Sequence, residues 1–260
     1  MRLASKVAVI TGGSSGIGRA TVDKFLREGA KVVIADVDVE AGEAAVEDAR
    51  AGGHGDNVSV IQTDVSRYED VEAAVAHAVA TFGRLDVIFN NAGIAGGKAL
   101  LDHDPALDYE PMIRVDQHGV YYGILAAARQ YVSQGSPGVI INTSSVYGEQ
   151  AAELAFTYGA AKAAVISFTR SAAYELAEHG IRVVAITPGR VATPIINQFS
   201  DELRSLFASE QLRNAMTEPD EIADVVAFLA SDEARVINGT VVSVEDGYSV
   251  FKHRFDLPEF

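Results

Sequence analysis

The sequence predicts an α/β protein: a doubly wound parallel sheet of about seven strands with helices on both faces. Three observations carry that expectation. Short, nearly continuous apolar runs recur along the 260 residues, the pattern of strands buried on both faces. Segments of helical length and amphipathic pattern separate them, so each strand is followed by a crossover and its successor runs parallel. The first apolar run also opens directly into a glycine-rich turn and then a helix. In that arrangement backbone N–H groups reach a diphosphate at the helix N-terminus.

Residues 6–10 form the first run, and Thr11-Gly12-Gly13-Ser14-Ser15-Gly16-Ile17-Gly18 follows at once. Residues 19–28 read as an amphipathic helix with Ala20, Phe25 and Leu26 inward and Gly29 as its stop. The spacing Gly-x-x-x-Gly-x-Gly differs from the Gly-x-Gly-x-x-Gly fingerprint, so the turn taken alone is equally loop punctuation. Residues 31–35 form the second strand, with Asp36 at its end. That is about 20 residues past the turn, where an acidic side chain accepts hydrogen bonds from an adenosine ribose. A 2′-phosphate would meet a carboxylate there, and Val37 rather than an arginine stands beside it. Asp36 therefore reads as selecting NAD over NADP, with a helix cap as the other role it can serve.

A helix over 39–50 and a glycine-rich loop lead to the third strand, 58–63, closed by Asp64-Val65. A helix over Tyr68–Phe82 precedes the fourth strand, 85–89, which ends in Asn90-Asn91-Ala92-Gly93. Residues 105–134 read as one long helical stretch broken near Gly119. The fifth strand, Val139–Thr143, delivers Ser144 and Ser145, and the helix carrying Tyr158 and Lys162 runs on to Glu178 with Gly180 beyond its end. The sixth strand, 181–186, turns at Pro188-Gly189. Residues 190–217 are mixed and polar, a length more often a functional lid than filler. A helix over Pro219–Ala230 and a seventh strand, 240–244, follow. The tail, 251–260, holds three phenylalanines and is expected to dock on a neighbouring subunit. No repeat or linker interrupts the chain, so 1–260 reads as a single catalytic domain.

Composition narrows the function. A formal charge of −15 disfavours a nucleic-acid partner. The absence of cysteine excludes disulfides and thiolate chemistry, and the six histidines are scattered without ligand spacing, so no metal is expected. No apolar run approaches the ~18 residues needed to span a bilayer. The start lacks a small-residue cleavage site, so the expectation is no membrane and a cytoplasmic location.

Tyr158 and Lys162 are four residues apart, which on a helix stacks their side chains on one face. A phenol alone is a poor base at neutral pH, with a reference pKa of about 10. An ammonium beside it favours the phenolate and brings the proton within working range.

In order and at these spacings, Thr11-Gly12-x-x-x-Gly16-Ile17-Gly18, Asn90-Asn91-Ala92-Gly93, Ser145, Tyr158-x-x-x-Lys162 and Pro188-Gly189 resemble the short-chain dehydrogenase/reductase family over nearly the whole chain. The resemblance implies a Rossmann-type fold, a nicotinamide cofactor and a homo-oligomer, tetramer or dimer. It implies Ser145 as the anchor of the substrate oxygen, because the second serine lies thirteen residues before the tyrosine. It makes Tyr158 the general acid/base and Lys162 the partner of both tyrosine and ribose. Val191 and Thr193 are expected against the nicotinamide amide, and Asp64 and Val65 against the adenine. The remaining cofactor contacts are expected from Gly12, Ser14, Ser15, Gly16, Ile17, Gly18, Asp36, Asn91, Ala92, Gly93, Pro188 and Gly189.

One position departs. Relatives usually carry asparagine three residues before the glycine of Val115-Asp116-Gln117-His118-Gly119, and here Asp116 fills that slot. Asp116 therefore joins the expected catalytic set, either as a near-isostere or as a carboxylate that alters Tyr158 through Lys162. The implied reaction is reversible hydride transfer between NAD and a secondary alcohol or ketone. The expected pocket, 94–98 with Ser145, Tyr147, Gln150, Ala151, Phe156, Tyr158 and the 190–217 segment, is mostly apolar. That favours an uncharged, moderately hydrophobic or cyclic small molecule. The competing readings are a sugar-type oxidoreductase or epimerase of related fold and a non-catalytic NAD-binding sensor.

Overall fold

The structure is a computed structural model and describes residues 1–250; the tail expected to dock on a neighbouring subunit lies outside the described residues. One seven-stranded parallel sheet is built from β1 (Val7–Thr11), β2 (Lys31–Asp36), β3 (Val58–Gln62), β4 (Val87–Asn90), β5 (Val139–Thr143), β6 (Arg182–Pro188) and β7 (Val241–Val244). Their order is β3-β2-β1-β4-β5-β6-β7, the doubly wound order expected. The chain winds outward from β1 to β3, then crosses to the other side of β1 at β4. The crossovers on either side of β1 and β4 therefore diverge, and a crevice opens at the C-terminal ends of those strands.

The two-residue period of the strands sorts them into two cores. Ala8, Ile10, Val32, Ile34, Phe89, Ile141 and Ile186 face α1 (Gly16–Arg27), α2 (Val39–Ala51) and α9 (Pro219–Ala230). Val7, Val9, Val33, Ala35, Ile88, Ile140 and Val183 face α3 (Tyr68–Phe82), α5 (Gly119–Gln134) and α6 (Phe156–Glu175). Phe25 on α1 is fully buried in the first core, and truncating such a ring to alanine costs about 3–5 kcal/mol.

Three stretches differ from the expectation. The 105–134 segment stays helical in its backbone through Gly119 but changes there from wide, π-type turns to α-helix. Two wide, π-type turns, Pro105–Tyr109 and Ile113–His118, flank a short α4 (Glu110–Met112) before α5 begins at Gly119. Asp104 caps the start, accepting from Ala106 N at 2.8 Å, and Pro111 lacks the N–H that a regular turn needs. The helix expected to reach Glu178 ends at Glu175 and tightens into a 3₁₀ turn stopped by Gly180, whose φ is +68°. The 190–217 segment holds two helices, α7 (Pro194–Asn197) and α8 (Asp201–Ser209), and closes on itself. Val191 and Thr217 form an isolated parallel bridge, with Ala192 N 2.9 Å from Thr217 O and Thr217 N 2.9 Å from Arg190 O.

Candidate active site

The glycine turn sits at the tip of β1. Gly12 has a φ of +64°, and a β-carbon on Gly18 would stand 2.0 Å from the Gly12 carbonyl oxygen. The turn therefore folds only with bare backbone at both positions. Ser15 caps α1 without a side-chain bond to the first turn, and no acidic side chain stands in that turn. The leading N–H groups of α1 are thus open to an anion. Thr11 ties the turn to the tip of β4: its hydroxyl accepts from Asn91 N (2.9 Å) and Ala92 N (3.1 Å). Asn91 returns its amide Nδ2 to the Thr11 carbonyl at 3.1 Å. Thr193, just past β6, comes over the same turn, with its Cγ2 3.3 Å from where a β-carbon on Gly16 would be.

Asp36 closes β2 and is 8% exposed. Its Oδ2 accepts the Ser14 N–H (3.0 Å) and hydroxyl (2.5 Å), and its Oδ1 accepts Asp38 N (3.1 Å). The helix cap that was its alternative role belongs to Asp38, which accepts from Ala41 N at 3.0 Å. Asp64 stands past the tip of β3, its Oδ1 accepting from Ser66 N at 2.9 Å, and Val65 is buried beside it.

Across the crevice, β5 and α6 bring the polar centre together. Lys162 is 3% exposed; its Nζ donates to the Thr143 carbonyl at 3.2 Å, pairs with Asp116 Oδ1 at 2.9 Å, and lies 5.5 Å from the Tyr158 ring centre. Burial works against the Lys162 charge, but the Asp116 carboxylate and Tyr158 outweigh it and hold the ammonium above its ordinary range. The two serines divide. The Ser144 hydroxyl donates to the Lys162 carbonyl at 2.8 Å, whereas Ser145 Oγ accepts the Tyr147 N–H at 3.2 Å and keeps its own proton to donate. Tyr147 stands edge-on to Tyr158, ring centres 6.4 Å apart.

Apart from Ser145, which lines neither, and the 190–217 segment, the expected substrate residues fall around two cavities rather than one. Tyr158 lines a cavity of about 210 Å³ with Ile94, Gly97, Met112, Leu154 and Thr157. Thr157 Oγ1 is buried there without a hydrogen-bond partner among the described residues. Tyr147, Gln150, Ala151 and Phe156 line a neighbouring groove of about 570 Å³. Leu154, held at a φ of +58°, borders both. Phe156 is 56% exposed, so it is not core packing. The charges of the smaller cavity, Lys98 and Asp108, neutralise each other at 2.8 Å.

Residues 190–217 line neither cavity, contrary to the expected pocket. They are drawn instead against Tyr147. The Arg190 guanidinium lies 4.1 Å from the Phe207 ring centre, 5.6 Å from that of Tyr147 and 5.4 Å from that of Tyr248, and is bonded to Glu210 at 2.6 Å. Tyr248 and Tyr147 share a hydroxyl contact of 3.1 Å, and burial followed by that contact pushes the Tyr248 phenol up. Arg190, Tyr248 and Thr157 are site residues the sequence did not single out, and Thr11 heads the glycine motif but had no role of its own. Thr11, at the tip of an apolar strand beside the glycine turn, is the one whose position was a usable signal.

A family model described as enoyl-(acyl carrier protein) reductase matches residues 12–249. The chain is 38% identical to 3beta-hydroxysteroid dehydrogenase 2 of Eggerthella lenta, over 96% of each chain. It is 39% identical to cis-4-hydroxycyclohexanecarboxylate dehydrogenase of Sinomonas cyclohexanicum, over 95% of this chain and 97% of that one. The crystal structure of levodione reductase superposes with a TM-score of 0.90 at 35% identity, covering 95% of this chain and 99% of the other.

Proposed function

This chain belongs to the short-chain dehydrogenase/reductase family of oxidoreductases, and we propose that it interconverts an uncharged cyclic secondary alcohol and its ketone with NAD. The observation that carries the chemistry is the buried Lys162 ammonium 5.5 Å from the Tyr158 ring, with a serine hydroxyl free to donate two residues before Tyr147.

Ser145 donates its O–H to the substrate oxygen and holds it at Tyr158. In oxidation the Tyr158 phenolate takes the hydroxyl proton; in reduction the phenol returns it to the carbonyl oxygen. Lys162, paired with Asp116, is the cation that stands beside Tyr158. The open N–H groups of α1 fit a diphosphate, and Asp36, at the end of β2, fits a ribose 2′-hydroxyl and repels a 2′-phosphate. When bound, the nicotinamide accepts or supplies the hydride. Asp64 and Val65 take the adenine side, and Asn91, Ala92, Gly93, Pro188, Gly189, Val191 and Thr193 border the nicotinamide side.

The cyclic substrate is supported by the relatives, whose names include a hydroxysteroid and a hydroxycyclohexane acid, and by the apolar walls beside Tyr158. Residues 190–217 line neither cavity, and in this reading they bear on the substrate only through Arg190, which lies against Tyr147. Exposed Tyr121 and Val132 on α5 and Tyr174 on α6 support a homo-oligomer, dimer or tetramer. No helix among the described residues is long and apolar enough to cross a membrane, in keeping with work in the cytoplasm.

The test is titration of the purified protein with NADH and NADPH, then turnover of a panel of cyclic secondary alcohols with NAD. Tighter NADH binding and turnover abolished by Tyr158→Phe are expected. Tight NADH binding with no turnover across the panel would point to a sensor instead.

A further inference from the structure

Asp116 is fully buried, at 0% exposed. A carboxylate is costly there unless its charge and its lone pairs are met. Both are met. Oδ2 accepts the Ile94 N–H at 3.1 Å, and Oδ1 lies 2.9 Å from Lys162 Nζ. The backbone makes room for the carboxylate, because a β-carbon on Gly93 would stand 2.6 Å from Asp116 Oδ1 and 3.5 Å from Nζ. An asparagine at this position would satisfy the Ile94 N–H equally well through its carbonyl oxygen, but it would bring no charge to Lys162.

We propose that Asp116 is a positioning residue that sets how readily Tyr158 releases its proton, by pairing with Lys162 and cancelling most of the ammonium's field at the phenol. The proposal rests on the assignment of Tyr158 as the acid/base. A bare ammonium beside a phenol stabilises the phenolate, whereas a tight ion pair presents little net charge. With the pair in place Tyr158 keeps its proton to higher pH. The phenol, which donates to a carbonyl, then survives over a wider range, and the phenolate that oxidises an alcohol forms later.

The other groups around Tyr158 do not take over this role. Lys98 is paired with Asp108 at 2.8 Å and Arg190 with Glu210 at 2.6 Å, so each cation carries its own counter-charge. Tyr147 and Tyr248 bond to each other, and the His103 ring nitrogen is 3.1 Å from the Lys98 carbonyl oxygen. Without Asp116, the Tyr158 phenolate becomes the counter-charge nearest to hand for a buried ammonium.

The test is a phenolate absorbance titration, which needs no substrate. The difference between wild type and Tyr158→Phe isolates the ionisation of Tyr158, and the same difference is taken in an Asp116→Asn background. The midpoint is expected about one pH unit lower in the Asn background, the low end of what a neighbouring charge does. The alkaline rise of kcat for alcohol oxidation should move down with it, while KM for the cofactor stays in place. Equal midpoints in the two backgrounds would overturn the proposal. Asp116→Ala, too small to crowd Gly93, must give the same downward shift; a shift with Asn alone would mean that charge is not the cause. If Tyr158→Phe leaves turnover intact, the acid/base assignment fails by itself, and the titration still reads whether Asp116 governs Tyr158.

Discussion

Ser14 is bonded to Asp36 twice, through its N–H at 3.0 Å and its hydroxyl at 2.5 Å, both to Oδ2. The pair fastens the glycine turn to the tip of β2 and holds the carboxylate in one place. Asp36→Ala removes a charge-assisted acceptor worth about 1.5–3 kcal/mol. The preference for NADH over NADPH should narrow by about tenfold or more, read by fluorescence titration of both cofactors. A wild-type protein that binds NADPH more tightly would show that Asp36 has another task.

Gly18→Ala places a β-carbon 2.0 Å from a backbone carbonyl, an overlap that only movement of the turn relieves. It should cost about 1–3 kcal/mol of stability and weaken cofactor binding together. Gly52→Ala is the control. Its β-carbon would meet nothing nearer than 3.5 Å, at an ordinary φ of −78°. Thermal melts and cofactor titrations should leave that variant at wild-type values.

The paired serines separate chemistry from architecture. Ser145→Ala should lower kcat by about 10²–10³, the scale of removing one donor to a developing oxyanion, with cofactor affinity unchanged. Ser144→Ala deletes the 2.8 Å bond to the Lys162 carbonyl and should cost about 1 kcal/mol of stability. Equal activity losses in the two variants would contradict the division.

Acid stability has a local contribution at the start of α9. Arg213 reaches Glu221 with two N–H groups (2.6 and 3.2 Å), and Glu221 also accepts Glu218 N at 2.8 Å. Arg213, then the Glu218 N–H, holds the Glu221 carboxyl below its ordinary 4.5. Its stabilisation is therefore present above pH 4.5 and is lost as pH falls through the lower folded value. Glu221→Gln should lower Tm at pH 7, and the gap to wild type should close as melts are taken below pH 4.5.

The sheet was legible because buried parallel strands announce themselves as apolar runs, and β2 or β5 needs no partner to be recognised. The four-residue step from Tyr158 to Lys162 was legible for a similar reason, since helical geometry alone stacks them. The surroundings of Arg190 were not. Tyr147, Phe207 and Tyr248 come from three separate stretches, and no local pattern shows that their rings meet one guanidinium. The wide turns before α5 were hidden too, because Pro111 acts on the turn around it rather than ending the helical pattern. Nor did the spacing separate the two cavities, which depend on the left-handed turn at Leu154.

The bridge between Val191 and Thr217 gives the protein a property that its chemistry does not require. Because the two ends of this stretch are fastened to each other, what lies between them can lengthen, shorten or change composition without displacing β6 or α9. Closing a longer loop across a fixed gap costs only about 0.6 kcal/mol per doubling. The composition of this stretch can therefore drift as one cassette, while Ser145, Tyr158 and Lys162 keep their places.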